Sequence, residues 1–349
     1  MEASRFIKFF LLIVVLLLVL SMVYTFCVDP LLHYHKPWFG LRPIIFNDGY
    51  YFAGGVAKNF DYDNLIIGSS MSQNFRSSWF EKEFEGITAK ATIPGMRPKN
   101  IYDLLNICLK KPNTKNVIIN FDMAFIAKPN EYRYESFPKY LYDKNYFNDI
   151  NYLLNKEIDI KYTQHTLSNN RHKQWTDFDS IFVWDTDKDA RFGKKRVYDR
   201  YFKVEKPTQV NKSYYVKNVG DFCEYIENYP SVTFYLFLSP YSIAYWGRQI
   251  KYDTYEGLKE FIYYSFSQLL KYDNCKVYLL SDQYSLDYMS NLDNYRDTQH
   301  YDSKMNKYIA NCLGTDVNLL TKDNYKQRLD DFFAYIESYD YENMFKDLK

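Results

Sequence analysis

The chain has 349 residues, 47% of them hydrophobic, and a formal net charge of +1, so it can bury a sizeable core but has no charge excess of either sign. That balance argues against a nucleic-acid binder, which needs a basic stripe. Five cysteines, at 27, 108, 223, 275 and 312, include no pair at metal-ligand spacing, so neither a zinc module nor a disulfide scaffold is indicated. Aromatic side chains make up 20% of the chain and most are tyrosine, a bias taken up below where it clusters.

Residues 9–28 form an uncharged, almost wholly apolar run of about the length that spans a hydrocarbon core. Arg5 and Lys8 precede it, whereas Asp29 follows and the first basic residue beyond is Lys36. The positive-inside tendency therefore places the N-terminus in the cytoplasm and everything after about Asp29 outside. A cleaved signal peptide would have a shorter apolar core ending at small residues, but this run ends Tyr24-Thr25-Phe26-Cys27. Cys27 also lacks the small neighbours that precede a lipid-modified cysteine. The reading is an uncleaved anchor over residues 1–28, followed by a lead-in over 29–60. An outward domain without paired cysteines is compatible with a bacterial cell surface.

Residues 64–67 (Asn-Leu-Ile-Ile) read as a short buried strand, and 74–84 as a helix carrying Phe75, Trp79, Phe80 and Phe84, with Gly86 placed to end it. Gly68-Ser69-Ser70 thus falls at a strand-to-helix turn, where open α/β sheets place ligands and where helix N–H groups face developing negative charge. Serine is also a favoured N-cap, so taken alone the turn reads equally as a cap.

Further strands are predicted near 87–93, 116–120, 232–238 and 276–281, with helices at 98–110, 216–228 and 254–271. This alternation predicts an α/β domain over 61–321, a parallel sheet covered on both faces. The strand at 232–238 ends at Ser239-Pro240-Tyr241-Ser242, either a wall of a site or a proline turn. Between about 127 and 215 the alternation fails and the chain becomes polar and tyrosine-rich. Irregular segments of this length are usually lids or insertions, so we read a cap over the sheet's carboxyl edge. Its rings suit stacking on sugar faces and equally suit a small core of the cap. The tail, 322–349, has Phe332, Phe333, Tyr335, Ile336 and Tyr339 in a helical pattern.

Asp297-Thr298-Gln299-His300 stands just before another helical pattern (Tyr301, Met305, Tyr308, Ile309, Cys312). Histidine is the side chain whose ordinary pKa suits a base near neutrality, and a carboxylate three residues earlier can orient the ring from the same loop. His33 and His35 lie just after the anchor, and His165 and His172 in the polar stretch, none with such a partner. They are too scattered for a metal site, and no cofactor is indicated. Ser70, His300 and Asp297 together supply a nucleophile, a base and an orienting carboxylate, the parts of acyl transfer.

These two pieces carry a resemblance. Gly68-Ser69-Ser70 resembles the first block of the SGNH (GDSL-type) hydrolase superfamily, with Ser69 in place of the usual Asp, and Asp297-Thr-Gln-His300-Tyr301 resembles its last block. Closer still are the membrane-anchored, extracytoplasmic branches, the DltD-like D-alanyl-transfer proteins and the AlgJ- and AlgX-like alginate acetylation proteins. The resemblance spans about 64–312 and rests on its two ends. It implies a three-layer α/β sandwich of flavodoxin-like type, with Ser70 as nucleophile, His300 as base and Asp297 as its partner. It also implies two middle blocks that supply oxyanion donors. Pro94-Gly95 fits the first of these. The second is an Asn in a Gly-x-Asn-Asp turn, from which the chain departs: Asn120-Phe121-Asp122 lacks the glycine. Asn120 is the remaining side-chain donor, and Asp122 can donate only when protonated, so the hole would otherwise depend on the N–H groups of Ser70 and Gly95.

The expected function is a serine acyltransferase or esterase acting on a cell-surface polysaccharide or teichoic-acid-like glycopolymer, with a multi-pass membrane acyltransferase as the partner the resemblance implies. The alternative expectation is an impaired SGNH-like scaffold that binds polysaccharide or an assembly partner.

Overall fold

The computed structural model describes residues 2–186, 191–203 and 206–348. Helix α1 (Glu2–Val28) is the apolar run, with a mean hydropathy of 3.0 over its best stretch, and is long and apolar enough to cross a membrane. It is followed by α2 (Gly49–Asn59), β1 (Asn64–Gly68), α3 (Ser70–Gln73), α4 (Ser77–Glu81), β2 (Thr88–Thr92), α5 (Pro98–Cys108) and β3 (Asn116–Phe121). Three helices lie in the expected cap: α6 (Ile150–Leu153), α7 (Gln164–His172) and α8 (Lys194–Lys203). Then come α9 (Lys212–Asn228), β4 (Thr233–Leu238), α10 (Ile243–Lys251), α11 (Tyr255–Leu269), β5 (Cys275–Leu279), α12 (Gln283–Ser290), α13 (Ser303–Thr315) and α14 (Tyr325–Ser338).

The five strands form one sheet in the order β2-β1-β3-β4-β5, every pairing parallel. Their side chains are buried almost throughout, as a sheet covered on both faces requires. The chain runs from β1 to β2 in one direction and from β2 over β1 to β3 in the other. Right-handed crossovers then place the first connecting helices on one face and the next on the other. The packing agrees: α4 lies against α13, while α2, α5, α9 and α11 pack in series. The order reverses at β1 and β3, so the carboxyl ends of these two strands flank the crevice where open α/β sheets hold ligands.

The lead-in over 29–60 contains α2, which the sequence does not advertise because Gly54-Gly55 is poor helix material. Both glycines are required by close approach: a Cβ at Gly55 would stand 1.6 Å from the Leu31 carbonyl oxygen, and one at Gly54 2.8 Å from that of Leu141. Just before it, Asp29 folds the chain back by accepting from the N–H groups of His33, Tyr34 and His35 and from the Tyr152 hydroxyl. The cap holds no strand among its described residues. Tyr142, Tyr152, Tyr162, Phe178 and Phe182 are buried, so much of the tyrosine bias serves the cap's own core. The tail packs on the domain, since Phe332 and Phe333 of α14 stand edge-on against Trp246.

Replacing Gly55 with Ala forces the Leu31 backbone to shift. We expect a loss of about 1–3 kcal/mol, the usual cost of overpacking, read as a lower urea midpoint in detergent; an unchanged midpoint would contradict this packing.

Candidate active site

The nucleophile turn is built on the end of β1. Ser69 caps α3, its Oγ accepting from Met71 N–H, which leaves Ser70 as the first residue of the helix. A Cβ at Gly68 would stand 2.2 Å from Asn120 Oδ1 and 2.3 Å from Ser72 Oγ, so only glycine lets the turn pack this closely on β3.

Of the helix expected over 74–84 only α4 (Ser77–Glu81) forms, set apart from α3 by residues 74–76, and Lys90 of β2 holds that gap. Its fully buried ammonium donates to the carbonyls of Gln73 (3.1 Å), Phe75 (2.6 Å) and Ile181 (2.9 Å), one acceptor for each N–H. In a continuous helix the first two carbonyls would accept from Ser77 and Trp79; instead Trp79 N–H goes to Arg76. Ser70 therefore has one turn of helix behind it rather than a long dipole, and its electrostatic support comes from individual N–H groups.

Ser70 Oγ lies 2.7 Å from His300 Nε2, and His300 Nδ1 lies 2.8 Å from Asp297 Oδ2. An ionised carboxylate only accepts, so Nδ1 carries the proton and Nε2 of the neutral ring accepts from the serine hydroxyl. The other oxygen, Oδ1, accepts from the N–H groups of Gln299 (2.8 Å) and His300 (2.9 Å). Burial raises the Asp297 pKa, but the charge and ring N–H of His300 and the two backbone N–H groups outweigh it and bring it down to about 2. The loop is closed by an antiparallel bridge between Tyr295 and Tyr301. It is tied to the end of β4 by Ser242 Oγ, which donates to the Thr298 carbonyl at 2.7 Å, and by Tyr295 Oη to that of Pro240 at 2.7 Å. The serine-proline turn after β4 thus supports the histidine loop.

Asn120 does not serve as the expected oxyanion donor. Its Oδ1 accepts from Ser69 N–H (2.8 Å) and Ser72 Oγ (2.8 Å), and its amide donates to Ser69 Oγ (3.1 Å) and to Asp122 Oδ2. Both amide hydrogens are thereby used inside the turn. Asp122 also accepts from Ser69 Oγ (2.9 Å) and Ala124 N–H (2.7 Å), and burial raises its pKa against those bonds. The N–H groups of Ser70 and Gly95 bond nothing among the described residues, which leaves them available to a developing oxyanion. Gly95 stands beyond the end of β2 with φ +63°, and the Arg133 guanidinium lies where its Cβ would be, 2.1 Å away. A side chain there would displace the arginine.

No spacing in the sequence singles out Trp184, yet the cap brings it to the site. Its Nε1 donates to the Ser70 carbonyl at 3.1 Å, its ring stands edge-on to His300 with centroids 5.5 Å apart, and Arg296 lies over it. Asp185 completes the tie by accepting from Ser303 N–H at 2.7 Å, at the start of α13. No group of three or more His, Cys, Asp and Glu side chains that could hold a metal occurs among the described residues. Cavities of about 490 and 380 Å³ lie elsewhere, the first lined by His33, Lys58 and Asp149, the second by Trp175 and Asp179. Neither includes Ser70, Asp297 or His300 in its lining. Comparison with protein-family models, curated proteins and solved structures returned no match.

Burial, with a smaller push from Arg76, lowers the Lys90 pKa to about 7 against the opposing pull of Asp179 and Asp177. The folded value lies below the unfolded one, so the contribution to stability is full above about pH 10.5 and is lost as pH falls through about 7. The melting temperature of the native protein should therefore rise between pH 6.5 and 9 by more than that of Lys90→Met; parallel profiles would contradict the assignment.

Proposed function

We propose that the protein is a membrane-anchored serine acyltransferase or esterase of the SGNH type, working outside the cell membrane on a surface polysaccharide or teichoic-acid-like glycopolymer. The observation that carries this reading is the unbroken hydrogen-bond chain Ser70–His300–Asp297 at the carboxyl edge of a parallel sheet.

In the reaction, Ser70 Oγ attacks the acyl carbonyl carbon as its proton passes to His300 Nε2. The carbonyl oxygen takes the negative charge, facing the N–H groups of Ser70 and Gly95. Collapse breaks the bond to the leaving alcohol, which takes the proton from His300, and an acyl-Ser70 ester remains. His300 then removes a proton from an acceptor hydroxyl of the glycopolymer, or from water. The new oxygen bonds the acyl carbon, and Ser70 leaves with its proton restored. Asp297 holds the ring tautomer and stabilises the imidazolium formed in each half. Transfer and hydrolysis differ only in which hydroxyl reaches the acyl-enzyme. Trp184 covers the serine–histidine pair from the cap side, which favours an acceptor over bulk water.

The apolar length of α1 and the basic Arg5 and Lys8 in its first two turns support a single-pass anchor with a cytoplasmic N-terminus. An outward site fed by a multi-pass acyltransferase in the same membrane fits that placement. Bacterial cells carrying Ser70→Ala should lose the acyl modification, or the ester cleavage, while the domain keeps its melting temperature. Asp297→Asn, which misorients the ring tautomer, should lower kcat about 10⁴-fold. Unchanged acyl content in the Ser70→Ala strain would refute the reading.

A further inference from the structure

The outer end of α1 does not leave the domain on a free tether. Ser21 Oγ donates to Asp159 Oδ2 at 3.1 Å, and Thr25 Oγ1 donates to Asp159 Oδ1. Asp159 belongs to a π-helical turn of the cap, Ile158–Thr163, and both this turn and α6 pack against α1. The cap is therefore docked on the last two turns of the apolar helix.

The segments at that junction expose several large apolar side chains. Phe147 is 96% exposed, Phe39 80% and Tyr146 79%, and Trp38, Ile150 and Ile160 are also exposed. They belong to three segments that meet the helix end: residues 38–39, α6 with the residues before it, and the π-helical turn. Trp38 packs edge-on to Phe26 of α1 with centroids 5.7 Å apart, and Phe39 packs on Trp38. Ile150 opens α6, three residues after Phe147, and Ile160 is next to Asp159. Single exposed apolar residues need no explanation, but a contiguous group does.

The depth is set from two sides. The candidate span Ala3–Val28 has 26 residues, about 39 Å of helix against a hydrocarbon core of about 30 Å. A turn or more therefore projects from the core, divided between the end that carries Arg5 and Lys8 and the end that carries Ser21 and Thr25. Asp159, which is bonded to Ser21 and Thr25, limits how deep the junction can go, because a carboxylate in hydrocarbon is costly. The exposed rings limit how far out it can stand. Tryptophan and tyrosine are the rings that favour the headgroup region, and Lys36, Lys144 and Lys156 lie exposed in the same segments.

We propose that this collar is a second membrane contact, seated in the outer headgroup layer of the bilayer that α1 spans, so that the cap lies on the membrane. The inference rests on reading α1 as an anchor. Its occupant is the lipid surface, because the patch is continuous with the apolar helix and carries interfacial side chains. Since the same cap supplies Trp184 to the nucleophile, the collar fixes the orientation of the site relative to the bilayer. Acyl donors carried in the membrane would then approach along it.

The test uses the full chain with Cys27→Ser, reconstituted in nanodiscs of phosphatidylcholine and phosphatidylglycerol. Single nitroxide labels are placed at Phe39→Cys, Phe147→Cys, Leu16→Cys in the helix, and Asp273→Cys. Asp273, whose side chain is 98% exposed, stands before β5 at the opposite edge of the sheet. Collision with oxygen relative to a nickel chelate reports depth. The ratio at Phe39 and Phe147 should lie several-fold above that at Asp273 and below that at Leu16. If Leu16 reads as bilayer while Phe39 and Phe147 match Asp273, the collar is overturned and the anchor stands. If Leu16 also matches Asp273, the anchor falls, and this inference falls with it.

Discussion

The buried polar web joining the end of β1 to the end of β3 is the constraint on which the site depends. Asn120 and Asp122 take hydrogen bonds from the backbone and side chain of Ser69 and from Ser72, and no side chain at Gly68 could share the space. Ser69 and Ser72 are turned inward by these bonds, which leaves Ser70 as the serine of the turn that faces His300. Buried networks of this kind fix a single geometry when every member is satisfied and are destabilising when one is not. A nucleophile needs that fixity, because catalysis by orientation is lost with displacements of about 1 Å.

The second requirement is that chain segments more than two hundred residues apart be held in register. The parallel sheet does this for the strand ends, and local ties do it for the loops. Ser242 and Tyr295 link the end of β4 to the histidine loop. Asn306 of α13 donates to the Met71 carbonyl of α3 at 2.8 Å. Lys90 joins the segment after the nucleophile to the cap through three carbonyls. The cap in turn reaches α1 through Asp159. Helix α1, the cap and the Gly68-Ser69-Ser70 turn are therefore one continuous set of packed and hydrogen-bonded parts.

Much of this was legible in the sequence because it rests on local pattern. Four of the five strands are short, mostly apolar runs, the exception being β2 (Thr-Ala-Lys-Ala-Thr), and all five lie within two residues of their expected positions. Ser70, Asp297 and His300 stood out by residue type and spacing, and the structure brings them together. What was not legible depends on partners distant in the chain. The gap at 74–76, which shortens the expected 74–84 helix, is held by Lys90, whose burial no local pattern reveals. Helix α2 is held by tertiary packing that its glycines permit, against their propensity. The position of Asn120 at the end of β3 is visible in sequence, but the direction of its amide, toward Ser69 and Asp122, is not. Trp184 was one ring among many in a tyrosine-rich stretch, and only the fold of the cap distinguishes it.

The central claim is that His300 activates Ser70 as a nucleophile. A fluorophosphonate probe followed by peptide mass mapping tests this most directly in the full-length protein, because phosphonylation requires an activated serine. The account predicts a single adduct on Ser70 in the native protein that is lost in His300→Ala, with Ser69 and Ser72 unmodified. Absence of the adduct from native Ser70, or equal labelling of Ser70 in His300→Ala, would contradict it.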